Sequence, residues 1–260
     1  MQAAPTLSPS AEPRPVSPDP LARPDVWRGD ELGSTVTRTV PTGWDALDRE
    51  LPGGGWPCRS LTEILAAQHS VLEWRLIGGA LRHVVQAGQQ VVIVGPPKPP
   101  HLPGLAHCGL DQAHLVWIRA ETPAERLWVS EQLVKSNATG AIVAWLAQAR
   151  QEQVRRLQVC AAASDSLVFL CRPEAARHEA SAAPLRLQAR AELDWQLRVE
   201  IFKRRGAPEP EPLVLPSVPG GLASILTPRM QRPSRLLARQ ETADVVGSPA
   251  PRSRLVPEPA

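Results

Sequence analysis

Between Leu61 and Leu170 the apolar residues switch repeatedly between two periods. Leu61–Leu65 is a continuous apolar run broken only by Thr62 and Glu63, as in a buried strand. Leu72, Leu76, Ala80, Leu81, Val84 and Val85 then recur at helical spacing. Ser70-Val71-Leu72-Glu73 has the spacing of a capping box, in which serine and glutamate satisfy each other's orphan amides. Gly88 suits the left-handed position beyond the helix end. Val91–Val94 is β-branched throughout and predicts a strand covered on both faces.

The alternation continues downstream. Leu115–Ile118 predicts a strand, and Thr122-Pro123-Ala124-Glu125 a second capping box with proline at the first helical position. Leu127, Trp128 and Val134 mark the apolar face of that helix. Ala141–Leu146 reads as a strand, about 150–163 as a helix, and Leu167–Leu170 as a strand. Leu185, Leu187 and Ala189, then Trp195, Leu197, Val199 and Ile201, recur at period two, the pattern of antiparallel strands with one solvated face. Upstream, Thr39–Leu47 reads as a turn into a short helix, followed by the glycine loop Pro52–Gly55. The expected fold is α/β, a mainly parallel sheet flanked by helices with a terminal antiparallel hairpin.

Proline placement sets the expected boundaries. Seven prolines fall in residues 1–26 and eleven in 207–260, and proline both fixes φ and removes a ladder donor. Residues 1–26 read as a disordered proline-rich arm, 27–206 as the core, and 207–260 as a largely disordered Pro/Arg-rich tail. Leu213-Val214-Leu215, between prolines, could add to an open sheet edge of this chain or of a partner. No run reaches the roughly 18–20 apolar residues of a membrane helix, and the N-terminus lacks the basic and apolar regions of a secretory signal. Four dispersed cysteines fit reduced thiols, and the expected location is the cytoplasm.

Several separated segments resemble a known family. Pro41-Thr42-Gly43-Trp44-Asp45-Ala46-Leu47-Asp48, then Leu51-Pro52-Gly53-Gly54-Gly55-Trp56-Pro57 and Leu61-Thr62-Glu63-Ile64, resemble the approach to the phosphate loop of a RecA-type ATPase core. Val26–Asp30, Glu50–Pro57, Gly140–Leu146 and Arg198–Gly206 resemble more closely the ImuA family, RecA- and SulA-like proteins associated with bacterial translesion synthesis. The similarity runs over about 26–206 and implies a RecA-like core. It also implies partners: the Y-family-like ImuB, through it an error-prone polymerase and the sliding clamp, and RecA as a further candidate. The implied setting is the SOS response to DNA damage. A SulA-like cell-division inhibitor is the alternative from a different class, and a residual nucleotide-dependent enzyme is a third.

The resemblance also locates a phosphate loop that has lost its chemistry. Such a loop needs Gly-x-x-x-x-Gly-Lys-Ser/Thr. Here the aligned residues are Ala66 and Val71 for the glycines, Leu72 for the lysine and Glu73 for the hydroxyl. Only Lys98, Lys135 and Lys203 are lysine, and none follows a glycine. Trp145 stands near the expected magnesium carboxylate, and Pro96-Pro97 near the expected water-activating glutamate. Phosphoryl transfer depends on positioned charge, so the expectation is a degenerate site with no catalytic residue, no cofactor and no metal.

Other clusters carry less. His101, His107, Cys108 and His114 match no zinc spacing. Lys98, between two proline pairs, is expected to plug the vacant nucleotide site. Of the tryptophans, Trp27 and Trp56 lie on loops as candidate exposed anchors, and the others are expected mostly in the core. Lys203, Arg204 and Arg205 end the last predicted strand, while Arg229, Arg232, Arg235 and Arg239 are spaced to share one helical face. These seven are the candidate contacts for a partner or for DNA. A net charge of +3 does not by itself require nucleic acid.

Overall fold

The structure, a computed structural model, describes residues 38–68, 71–206 and 211–235. In chain order the elements are β1 (Thr39–Val40), α1 (Asp45–Glu50), β2 (Trp56–Pro57), β3 (Leu61–Ala66), α2 (Leu72–Gln86), β4 (Val91–Val94) and α3 (Leu102–His107). There follow β5 (Leu115–Ile118), α4 (Pro123–Ser136), β6 (Ala141–Trp145), α5 (Gln151–Ala162), β7 (Leu167–Pro173), β8 (Leu185–Ala191) and β9 (Gln196–Lys203). Last come β10 (Leu213–Pro216), α6 (Gly220–Ala223) and α7 (Pro228–Gln231).

Strands β3 to β10 form one eight-stranded sheet in the order β10-β9-β8-β3-β7-β6-β4-β5. Strands β3 to β8 run parallel, and β9 is antiparallel to both of its neighbours. The short ribbon β1–β2 stands apart. Residues of opposite parity on the central strands feed two separate cores. Ile64, Ile93, Val143 and Phe169 pack with α1 and α2 on one face. Leu61, Val92, Ile142 and Val168 pack with α4 and α5 on the other. This is the three-layer arrangement that a β-branched, doubly covered strand such as β4 requires. On β8, and on β9 apart from Phe202, only one parity is apolar, so those strands contribute Leu187, Val199 and Ile201 to the first core alone.

The segment 41–48 has a definite physical role. Thr42 Oγ1 accepts from the Trp44 amide at 3.0 Å, and Asp48 Oδ1 accepts from the Thr42 amide at 2.8 Å, which turns the chain into α1. Gly43 sits at φ +89° against Gly79 of α2, where an added Cβ at Gly79 would meet the Thr42 carbonyl oxygen at 2.4 Å. Two facing glycines thus allow the turn to lie directly on the helix.

The fold also moves one expected boundary. The core does not stop at Gly206: β10 pairs antiparallel with β9, Leu215 facing Leu197, and Leu215 is buried. Proline density did not exclude this, because an edge strand tolerates prolines at its ends. Residues 1–37 and 236–260, with the arm and most of the tail predicted there, lie outside the described residues. Among the described residues no helix is long and apolar enough to cross a membrane.

Candidate functional site

The carboxyl ends of parallel strands are where open α/β sheets place their ligands. Here the junction from β3 to α2 lies beside the end of β6. Ala66 closes β3 fully buried, and Leu72 opens α2 inside the core. Ser70 is outside the described residues, and the residue that caps α2 is Val71, one position later than the expected capping box places it. The Glu73 carboxylate turns back and accepts from the Val71 amide at 3.2 Å. Its other oxygen accepts from the indole N–H of Trp145 at 3.1 Å. Both side chains are buried, and Trp145 packs on Trp74 with ring centres 5.3 Å apart.

The two positions that the resemblance assigns to magnesium binding therefore touch each other. A carboxylate satisfies a helix-start donor that a phosphate would otherwise use, and its charge would repel a triphosphate. Cys171, on β7, lies within the field of Glu73. Burial first, and then that carboxylate, push its thiol well above the ordinary range.

The third position is filled differently. After β4 the chain turns at Gly95 (φ +55°), where a Cβ would lie 2.6 Å from Arg126 Cδ. Arg126 donates to the Ala120 carbonyl at 2.8 Å and so packs across the ends of β4 and β5. Between the starts of α4 and α5 is a cavity of about 470 Å³, with Trp145, Arg126 and Gln148 in its lining. Each helix start is capped from within. Thr122 and Glu125 form the expected capping box, and Gln153 Oε1 accepts from the Arg150 amide at 2.8 Å. Backbone amides of Thr122 and Glu121 hold the Glu125 carboxyl below its usual range.

A buried ionic cluster beside β3 carried no signal in the sequence beyond a glutamate inside an apolar strand. Glu63 has no solvent exposure. It accepts from Arg172 of β7 at 2.9 Å and from Arg186 of β8 at 2.6 Å. Arg172 also donates to Ala149 O at 3.0 Å and Glu179 at 2.5 Å, and Arg186 to Ala176 O at 2.8 Å. Arg177 and Arg186 both lie over the Phe202 ring, 4.7 and 4.8 Å from its centre. Arg172 lies beyond the strand predicted over Leu167–Leu170 and Arg186 on a face predicted to be solvated, so strand order was needed to bring the three charges together.

The candidate contact residues fall into different environments. Lys203 donates to Ser181 O at 2.7 Å, and burial lowers its pKa. Arg204 is only 9% exposed and reaches back to Glu50 at the end of α1, so it ties β9 to the first helix. Arg205 is exposed. Arg229, Arg232 and Arg235 are exposed too, yet they share no helix: α7 ends at Gln231, and Arg232 takes φ −129°, ψ 66°. Pro233 prevents the helix from continuing. Arg239 lies outside the described residues.

Other expectations change as well. Trp56 is fully buried, edge-on to Phe169 at 5.4 Å, whereas Trp128 is 63% exposed and Trp117 39%. Trp27 lies outside the described residues. His101 caps α3, its Nδ1 accepting from the Gly104 amide at 3.1 Å, and His114 stands 3.6 Å from Asp111. Lys98 and its prolines line a groove over the outer face of α2, whose edge includes Val71. No protein-family model matches the chain, and no curated protein matches it.

Proposed function

We propose that this chain is a non-catalytic RecA-like adaptor of error-prone translesion synthesis, working in the bacterial cytoplasm during the SOS response. The observation that carries the non-catalytic part is the Glu73–Trp145 hydrogen bond. It joins the positions that the resemblance assigns to the phosphate-loop hydroxyl and the magnesium carboxylate, and an indole N–H engages the Glu73 carboxylate there. The mixed sheet, parallel from β3 to β8 with helices on both faces, is compatible with a RecA-like core. The resemblance of the segments within 26–206 to the ImuA family supplies the setting and the partners, ImuB and RecA.

Such a protein acts through its surfaces. Arg205, Arg229, Arg232 and Arg235 remain as exposed cationic contacts, while Arg204 belongs to the fold. Arginine forks suit carboxylates of a partner or phosphates of DNA. Co-purification of the full chain with ImuB and with RecA tests the reading. Retention of at least one is expected, weakened when the four exposed arginines are changed together to glutamate. Retention of neither protein sinks the adaptor reading. Micromolar ATP binding that responds to substitution at Leu72 or Glu73 would instead restore a nucleotide-dependent activity.

A further inference from the structure

The outer face of α2 carries a groove of about 520 Å³ that meets the β3–α2 junction at Val71 and Trp74. Its walls are apolar: Trp44, Trp74, Pro99, Pro100 and Leu105. Gly78 contributes no side chain at its base, where an added Cβ would meet nothing within 4 Å, whereas Gly79 is already covered by the Thr42–Gly43 turn. Trp44 is held in place by its indole N–H, which donates to Leu76 O at 3.3 Å. The opposite wall is stiffened by two prolines and by the His101 cap on α3. Ser217–Pro219, arriving from β10, close the third side.

Among the described residues that line this groove, the charges are all of one sign. Arg75, Arg82 and Lys98 line it together with His101, and no aspartate or glutamate does. Among the described residues, Arg75 is held by neutral oxygens. Its Nε donates to Ser217 O and Oγ at 3.1 Å, and its Nη2 donates to Trp195 O at 2.8 Å. Burial disfavours its charge, and no carboxylate among those contacts compensates. Arg82 and Lys98 are exposed at the rim. A concave apolar floor with an exposed cationic rim has the anatomy of a protein-binding hot spot. Its complement is a bulky apolar side chain flanked by acids.

We propose that this groove docks an acidic peptide segment of a protein partner, one aromatic or leucine side chain entering between Trp44, Trp74 and Leu105 while its flanking carboxylates meet Arg82 and Lys98. The inference does not depend on the RecA-like reading, since it uses only the groove.

A displayed library of short random peptides, selected on the full chain, tests it. The enriched sequences should combine an apolar anchor with neighbouring Asp or Glu, bind with a Kd of about 10–100 μM, and weaken as salt is raised. The double change Arg82→Glu and Lys98→Glu should weaken them at least about tenfold. Both side chains are exposed, so an unchanged thermal midpoint will show that the fold survives. No enrichment, enrichment of neutral or basic sequences, or affinity indifferent to the double change overturns the proposal. Three further outcomes also overturn it by naming another occupant. One is a concentration-dependent dimer that the double change abolishes. Another is peptide binding only after residues 236–260 are removed. The third is tight, substitution-sensitive binding of anilinonaphthalene sulfonate with no peptide enriched, which marks a small-anion site.

Discussion

A carboxylate with no solvent exposure survives on a central strand only when its charge is met, and Glu63 is met twice, by arginines from the strands on either side. Removing one member of such a set leaves buried charge without compensation. Glu63→Ala should therefore lower stability by about 3–5 kcal/mol, seen as a thermal midpoint roughly 10 °C or more below that of the parent. A shift near zero would show that Arg172 and Arg186 find water or other acceptors once the glutamate is gone. At this scale the sequence was legible in part. Leu72, Leu76, Ala80 and Leu81 read correctly as core from their helical period, and Val91–Val94 from its unbroken β-branched run. Trp56 and Trp128 did not, since tryptophan is amphipathic and only neighbouring elements decide whether it is covered.

Elements show a similar division. The capping box at Thr122 and the left-handed Gly88 formed as expected because both are local hydrogen-bond chemistry. Helix α3 went unread: Leu102-Pro103-Gly104 is poor helical composition, and the element exists through a proline in its first turn and the His101 cap. The hairpin β8–β9 formed, but its tip does more than turn. Asp194 and Trp195 both adopt positive φ, and the Asp194 carboxylate accepts from the Ser234 amide at 2.9 Å and hydroxyl at 2.6 Å. The Trp195 indole donates to Met230 O at 3.0 Å, so the tip clasps the segment after β10.

Those Ser234 bonds, with Arg232 and Arg235 adding less, hold the Asp194 carboxyl below its usual range. A carboxyl whose folded pKa is depressed adds stability that is present above its unfolded pKa, about 3.9. That stability is lost as pH falls through the lower folded value. The clasp should accordingly hold from neutrality down into the acid range and release only below it. Release is readable as movement of the Ser234 amide resonance toward its random-coil position. Asp194→Asn should make that resonance insensitive to acid; an unchanged titration would assign the clasp to other contacts.

For the whole molecule the decisive feature is where the fold ends. A chain stopped after Gly206 loses β10 and with it the cover over Leu197 and Val199, which are fully buried in the intact protein. It also deprives Arg75 of Ser217. Burial of two or three aliphatic side chains is worth about 1.5–3 kcal/mol each. That truncation should therefore unfold at markedly lower denaturant and associate through its open β9 edge. A chain stopped after Arg235 keeps every described element and should match the full chain in urea unfolding. Equal midpoints for all three would mean that β10 contributes nothing to the sheet.

What the sequence determined by itself is everything that depends on neighbours along the chain. Period gave the strands and helices their faces, and capping chemistry their starts. None of the three lysines follows a glycine. The tertiary structure alone decided what depends on strand order. It placed Glu63 between Arg172 and Arg186, turned Arg204 inward to Glu50, and used Leu213–Pro216 as the sheet's own edge. It also set Trp145 against Glu73. Residues 72 positions apart meet there because parallel strands carry their carboxyl ends to one edge of the sheet, and no local pattern encodes which of those ends will be neighbours.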